Sequence, residues 1–216
     1  MPVPDSVRFA HTDSEILNYG DVRKLSCDDR LRALKKRFDY WLIRQTDALI
    51  AKDAAGNGLV DAPFPVVIMS CVTLETMGSV FFDDGIKRDE TKDVFERAAI
   101  FTDPKLKGPM IKGVVGKMRA LWPNSDLKDV QSASDVIYKF FRNSMFHGYR
   151  ARGAYITGEI NPKAWDYGDG FLLIHPDNFW KMVRDAGYTR MFEAALSGKN
   201  PDMHASAHRY VDELLG

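Results

Sequence analysis

The sequence predicts a mainly α-helical protein: a helical bundle with a short β-hairpin and closing helices toward the C-terminus. Three observations predict it. Apolar residues recur at three- and four-residue steps over most of the stretch from 28 to 147, which is the spacing of one helix face. The runs are separated by segments such as "AAGNGLVDAPFP" (54–65), whose glycines and prolines stop a helix. Strand-like patterning is confined to "GAYIT" (153–157) and "GFLLIHP" (170–176).

Taken in order, positions 1–27 are weakly patterned, with Pro2, Pro4 and Gly20, and read as an arm or irregular cap. From "CDDRLRALKKRFDYWLIRQTDALIAKDA" the period is helical, with Leu31, Leu34, Phe38, Trp41, Leu42 and Leu49 mostly at three- and four-residue steps. Asp28 and Asp29 suit the positive end of that helix. A second helix runs from about Pro65 to Phe82 and stops at "DDG". It is the most apolar stretch of the chain. Thr73, Glu75 and Thr76 interrupt it, so it reads as a core helix rather than a membrane span.

A third helix is "KRDETKDVFERAAIF" (87–101), followed by the loop "TDPKLKGP" and a fourth helix, "MIKGVVGKMRALW" (110–122). "PNSD" is a stop and restart. A long helix, "LKDVQSASDVIYKFFRNSMFH" (127–147), then carries Val130, Ala133, Val136, Ile137, Phe140, Phe141 and Met145 as its apolar face. Gly148 fits the left-handed position after a helix end. "GAYIT" and "GFLLIHP" read as the two arms of the hairpin. "DNFWKMVRDAG", "YTRMFEAALSG" and "DMHASAHRYVDELLG" read as three closing helices. The whole of 1–216 is expected to be a single domain, with a helical core at 30–150 and the remainder, 151–216, packed on it.

Composition bounds the function. Hydrophobic residues are 45% and charged residues 28% of the 216, as in an ordinary globular protein. Lys plus Arg and Asp plus Glu are 30 each, so no global field draws in nucleic acid and any such binding needs a local patch. Cys27 and Cys71 lack CxxC partners and read as free thiols in a reducing compartment. The N-terminus has no charged-then-apolar leader pattern. A cytoplasmic location with no membrane partner is expected.

The stretch "RNSMFHGYR" (142–150), at the end of the long helix, carries the chemistry. Five residues of helix turn about 500° and rise about 7.5 Å, so Arg142 and His147 differ by about 140° in direction. They converge only because Arg is long and the helix ends at the His. A last-turn imidazole sits among unpaired carbonyls, which favour its charged form. A guanidinium beside it can hold a phosphate bidentately. Phosphodiester cleavage needs this pair: one group moves a proton, the other steadies charge on phosphorus. The same two residues also suit a plain helix C-terminus with no site.

"RNSMFHGY" resembles the R-x4-6-H signature of the HEPN superfamily, helical proteins of RNase toxins, antiphage systems and RNA-processing factors. The similarity includes the polar Asn143 after Arg142 and the longer R-x4-H-x-Y form ending at Tyr149. It covers roughly 30–150, including an earlier apolar helix with a lone acid, Glu75. The hairpin and helices after Gly153 depart from compact members of that family.

The resemblance implies a metal-independent endoribonuclease that uses the RNA's own 2′-hydroxyl as nucleophile. His147 would assist proton transfer, Arg142 would bind the scissile phosphate and Asn143 would orient one of them. It implies a homodimer with two motifs facing one cleft, a toxin or defence role, a possible antitoxin protein, and no cofactor or metal. In toxin pairs of this form a partner nucleotidyltransferase can attach AMP to such a Tyr. At Tyr149 that would set phosphate beside Arg142 and Arg150. Tyr149 packing near Tyr155 is the alternative. Glu75 either orients Arg142 or is a satisfied polar group between helices. The rival reading from another class is a non-catalytic HEPN module that binds RNA, a nucleotide or a protein partner.

Charge placement adds to this independently. No acid lies between Val136 and Gly158, where Lys139, Arg142, Arg150 and Arg152 could track a phosphate backbone. A second acid-free window, Pro104 to Ser125, holds Lys105, Lys107, Lys112, Lys117 and Arg119 and reads as a solvated face. "GPMIKGVVGKM" fails the phosphate-loop spacing, and "DYGDG" and "FFDDG" are turns. His204 and His208 lie four apart on a helix, as two metal ligands would. With no third ligand near in sequence they read as a surface pair.

Overall fold

The computed structural model describes residues 3–12, 14–51, 63–83, 91–108, 116–117, 120, 130–139, 154–157, 162–168 and 172–216. The fold is mainly α, as the periodicity predicts.

The N-terminal segment is more regular than an irregular cap. Strand β1 (Arg8–His11) pairs antiparallel with β2 (Ile16–Asn18), with an irregular step between Arg8 and Ala10. Helix α1 (Tyr19–Arg23) follows directly. The irregular step lets the adjacent residues Phe9 and Ala10 both enter the core. The Phe9 ring meets Tyr19 edge-on at 5.1 Å, and the Arg37 guanidinium lies 5.0 Å over it. Arg37 also donates to the Phe9 carbonyl and the Tyr19 hydroxyl. Arg23 donates to the carbonyls of Val3 and Leu215 and pairs with Asp5, joining both ends of the described chain.

Helix α2 (Cys27–Phe38) starts at Ser26, whose hydroxyl accepts from the Asp29 amide. It runs on through a wider π turn (Asp39–Ile43) into α3 (Arg44–Ile50). Where the helix widens, the buried Tyr188 hydroxyl donates to the Lys35 carbonyl and to Asp39. Helix α4 (Pro63–Phe81) is long and apolar enough to cross a membrane by length and composition, but ten of its residues are buried. It lies against α5 (Thr91–Thr102) at one point of very close approach. A β-carbon on Gly78 would stand 2.3 Å from the Val94 carbonyl oxygen, so only glycine fits.

After a short 3₁₀ turn (Pro104–Lys107), the expected helix at 110–122 lies mostly outside the described residues; the next described helix is α6 (Ala133–Val136), and the chain stays helical to residue 139. The expected start near Leu127 moves to the Ser132 cap, because Ser132 and Asp135 form a capping box there. Val130, Ala133, Val136 and Ile137 are buried as the apolar face requires, but so are Ser134 and Asp135.

The late sheet has the order β3 (Ala154–Ile156), β5 (Leu172–Ile174), β4 (Trp165–Tyr167). Its antiparallel hairpin is β4–β5. The segment expected as the first arm, Ala154–Ile156, is instead a third strand running parallel to β5. The Trp165 indole donates to Asp103 and fixes the sheet beside the end of α5.

The three expected closing helices are two. Helix α7 (Pro176–Met182) passes through a π stretch (Val183–Thr189) into α8 (Arg190–Leu196) without a break. Gly187 does not end a helix. It lets this run approach α5, where a β-carbon would meet the Thr102 hydroxyl at 2.6 Å. Asp47 accepts from the Trp180 indole and Arg184, tying α3 to the same run. Helix α9 (Pro201–Leu215) closes the fold from an Asn200 cap. One continuous apolar cluster extends from Phe9 to Leu215. Phe192 sits within it, with Phe81, Tyr188 and Phe38 rings 4.9, 5.1 and 6.4 Å away.

Candidate functional site

The predicted motif follows α6, so the base of that helix is its foundation. Asp135 is buried, and its carboxylate accepts from the Gln131 and Ser132 amides at 3.0 Å each and from the Ser132 hydroxyl at 2.9 Å. Lys92, from α5, reaches the other carboxylate oxygen at 2.7 Å. Burial alone would raise the Asp135 carboxyl above its ordinary value. The Lys92 ammonium, the Gln131 amide and Ser132 outweigh burial and hold it below. Glu96, nearby on α5, moves the opposite way: burial raises it, and the Asp135 charge raises it further.

Arg142, Asn143, His147, Tyr149, Arg150 and Arg152 lie outside the described residues. Of the remaining predicted site residues, Lys139 is half-buried at the helical end of the α6 segment, and Glu75 is half-buried on α4. Of the basic window from Pro104 to Ser125, Lys105, Lys107 and Lys117 are exposed. Cys27 is exposed and Cys71 is buried.

Two further features were not legible in the sequence. The first is His175, which follows β5 and is 4% exposed. Its backbone amide donates to the Ala164 carbonyl, but neither ring nitrogen has a hydrogen-bond partner among the described residues. The second corrects the reading of His204 and His208 as a surface pair without a third ligand. The first turn of α2 brings Asp28 against them. His204 Nε2 lies 3.1 Å and His208 Nε2 3.4 Å from Asp28 Oδ1, and the two imidazole nitrogens are 2.9 Å apart.

His208 is the more enclosed of the pair, with 15% of its side chain exposed against 37% for His204 and 48% for Asp28. Burial and the neighbouring His204 push the His208 imidazole below its ordinary value, while Asp28 opposes the shift. A hydrogen bond with His204 holds the Asp28 carboxyl low. The signal available in the sequence was the H-x3-H spacing. The partner acid lies 176 residues away along the chain, so only the packing of α9 on α2 reveals it.

No protein-family model, curated protein or solved structure matches this chain.

Proposed function

We propose that this protein is a HEPN-like, metal-independent endoribonuclease that acts as a homodimer in a toxin or defence role. The observation that carries the reading is the pattern Arg142, Asn143, His147, Tyr149 in an acid-free, basic segment whose sequence reads as the end of a helix. The mainly α fold suits it. So does the capping of α6, just before that segment, by Ser132 and Asp135.

In this reading Arg142 binds the scissile phosphate and steadies its developing charge. His147 moves the proton between the 2′-hydroxyl and the leaving oxygen, and Asn143 orients one of the two. Lys139, Arg150 and Arg152 track the backbone, so binding weakens as salt rises. Glu75 and Tyr149 support the site, and an AMP on Tyr149 would block it by neutralising Arg142 and Arg150.

The test is cleavage of a mixed RNA pool by the purified protein with EDTA present. Cleavage is expected in EDTA, with a loss of about 100-fold or more in His147→Ala and Arg142→Ala and no change in their helical content. RNA binding without cleavage would replace the enzyme by a non-catalytic binding module. Cleavage that survives both substitutions would remove the motif from the chemistry altogether.

A further inference from the structure

We propose that Asp28, His204 and His208 form a binding site for a borderline divalent cation of the zinc(II) class, bridging the start of α2 to α9. The three ligand atoms belong to residue types that zinc takes, and they converge. Their mutual separations are 2.9, 3.1 and 3.4 Å. Ligands at about 2.0–2.1 Å around a tetrahedral zinc stand about 3.3 Å apart, so the triangle already has nearly that size. The point equidistant from its corners is about 1.8 Å from each, which leaves a zinc at normal bond length about 1 Å above the plane.

Hydrogen bonding alone does not account for the triangle. Each Nε2 carries at most one proton in a neutral ring, and the carboxylate only accepts. If both nitrogens are protonated, each can donate to Asp28, but then two N–H groups crowd together at 2.9 Å. If only one is protonated, the other nitrogen turns a lone pair on the carboxylate. A cation among the three atoms satisfies every contact at once. His204 and His208 are one helical turn apart on α9 and so present both rings to the same point. Partial exposure of His204 and Asp28 leaves the fourth position open to water. The ion would add to the ties between α2 and α9 already made by Arg30 with Asp212 and, from α1, by Arg23 with the Leu215 carbonyl.

Zinc(II) titrated into metal-stripped protein and followed by calorimetry tests this, with cobalt(II) substituted to read coordination from its visible spectrum. One ion per chain is expected, with the intense absorption of a four-coordinate site. Zinc at about 100-fold above its Kd should raise Tm by about 5–10 °C. Asp28→Asn and His208→Ala should each weaken uptake by more than the about 10–100-fold that loss of an outer-shell partner costs. His11→Ala should leave it unchanged. Asp28→Asn changes a half-exposed side chain and keeps its shape, so it tests the site even where His208→Ala perturbs the fold. Failure to take up zinc, or uptake at wild-type affinity by Asp28→Asn and His208→Ala, overturns the proposal.

Discussion

Replacing Asp135 with Ala tests whether the anchoring of α6 is set by one carboxylate. Four groups lose their acceptor. The Gln131 amide is in an exposed residue and turns to water at small cost. The Ser132 amide belongs to a buried residue and is left stranded, which costs about 1–3 kcal/mol. That bond is the acidic half of the capping box, and the Ser132 hydroxyl keeps Ser134 as a partner. Lys92 loses its partner, but 44% of its side chain is exposed, so that ion pair adds under about 1 kcal/mol. The sum is about 1–4 kcal/mol of stability. For a chain of this size each kcal/mol moves Tm by about 2–4 °C, so a drop of about 2–16 °C is expected.

Calorimetry and urea denaturation followed by circular dichroism measure it, and the urea slope should be unchanged. Lys92→Met in a double-mutant cycle should return a coupling below about 1 kcal/mol. The pH dependence has a definite sign. The folded carboxyl is held below its ordinary value, so the unfolded chain takes up the proton first. The contribution of Asp135 is therefore complete above the ordinary carboxylate range, near pH 4, and fades as pH falls through the lower folded value. The stability gap between wild type and Asp135→Ala should stay flat from about pH 5 to 8 and close below about pH 4. A loss under about 0.5 kcal/mol, or a gap that opens as pH falls, would refute the argument.

Two other substitutions probe packing. Gly78→Ala gains about 1 kcal/mol in helix propensity, yet its methyl would stand 2.3 Å from the Val94 carbonyl oxygen. A net loss of about 3 kcal/mol or more is expected in urea titrations, and a loss under about 1 kcal/mol would show that α4 and α5 part easily. His175→Leu removes two buried ring nitrogens without described partners, so Tm should hold or rise, because no hydrogen bond is given up. A fall in Tm of several degrees by calorimetry would show that the ring has a partner that matters.

How much of this was legible in the sequence follows from the range of each signal. Helices α2, α4 and α5 were readable because their apolar spacing is local and their ends carry Asp, Gly or Pro. The N-terminal hairpin was not, because its strands are four and three residues long and Phe9 and Ala10 are buried side by side. That breaks the alternation by which a strand is recognised. Gly187 looked like a helix stop because a glycine in mid-helix is usually costly. Its reason is a contact with Thr102 on another helix, which no local window contains. Alternation finds β3 and β5 but does not say that they run parallel. For the candidate site, the pattern at 142–149 is local and readable in the sequence but lies outside the described residues, while the convergence of Asp28 on His204 and His208 is a product of tertiary packing alone.

The two proposed sites place opposite demands on one reagent, which allows them to be separated. If His147 and Arg142 act without metal, chelation leaves the chemical step alone. If zinc joins α2 to α9, chelation removes a tie between helices and lowers Tm. Cleavage assayed with EDTA well below the metal-free Tm should therefore match cleavage with zinc, while the two thermal curves differ. Near that Tm, EDTA should lower activity in step with helical content, and Asp28→Asn with zinc should behave like wild type without it. Activity that falls in EDTA while the helices stay folded would put a metal in the chemistry itself. That result would overturn the metal-independent mechanism while leaving the Asp28, His204 and His208 site in place.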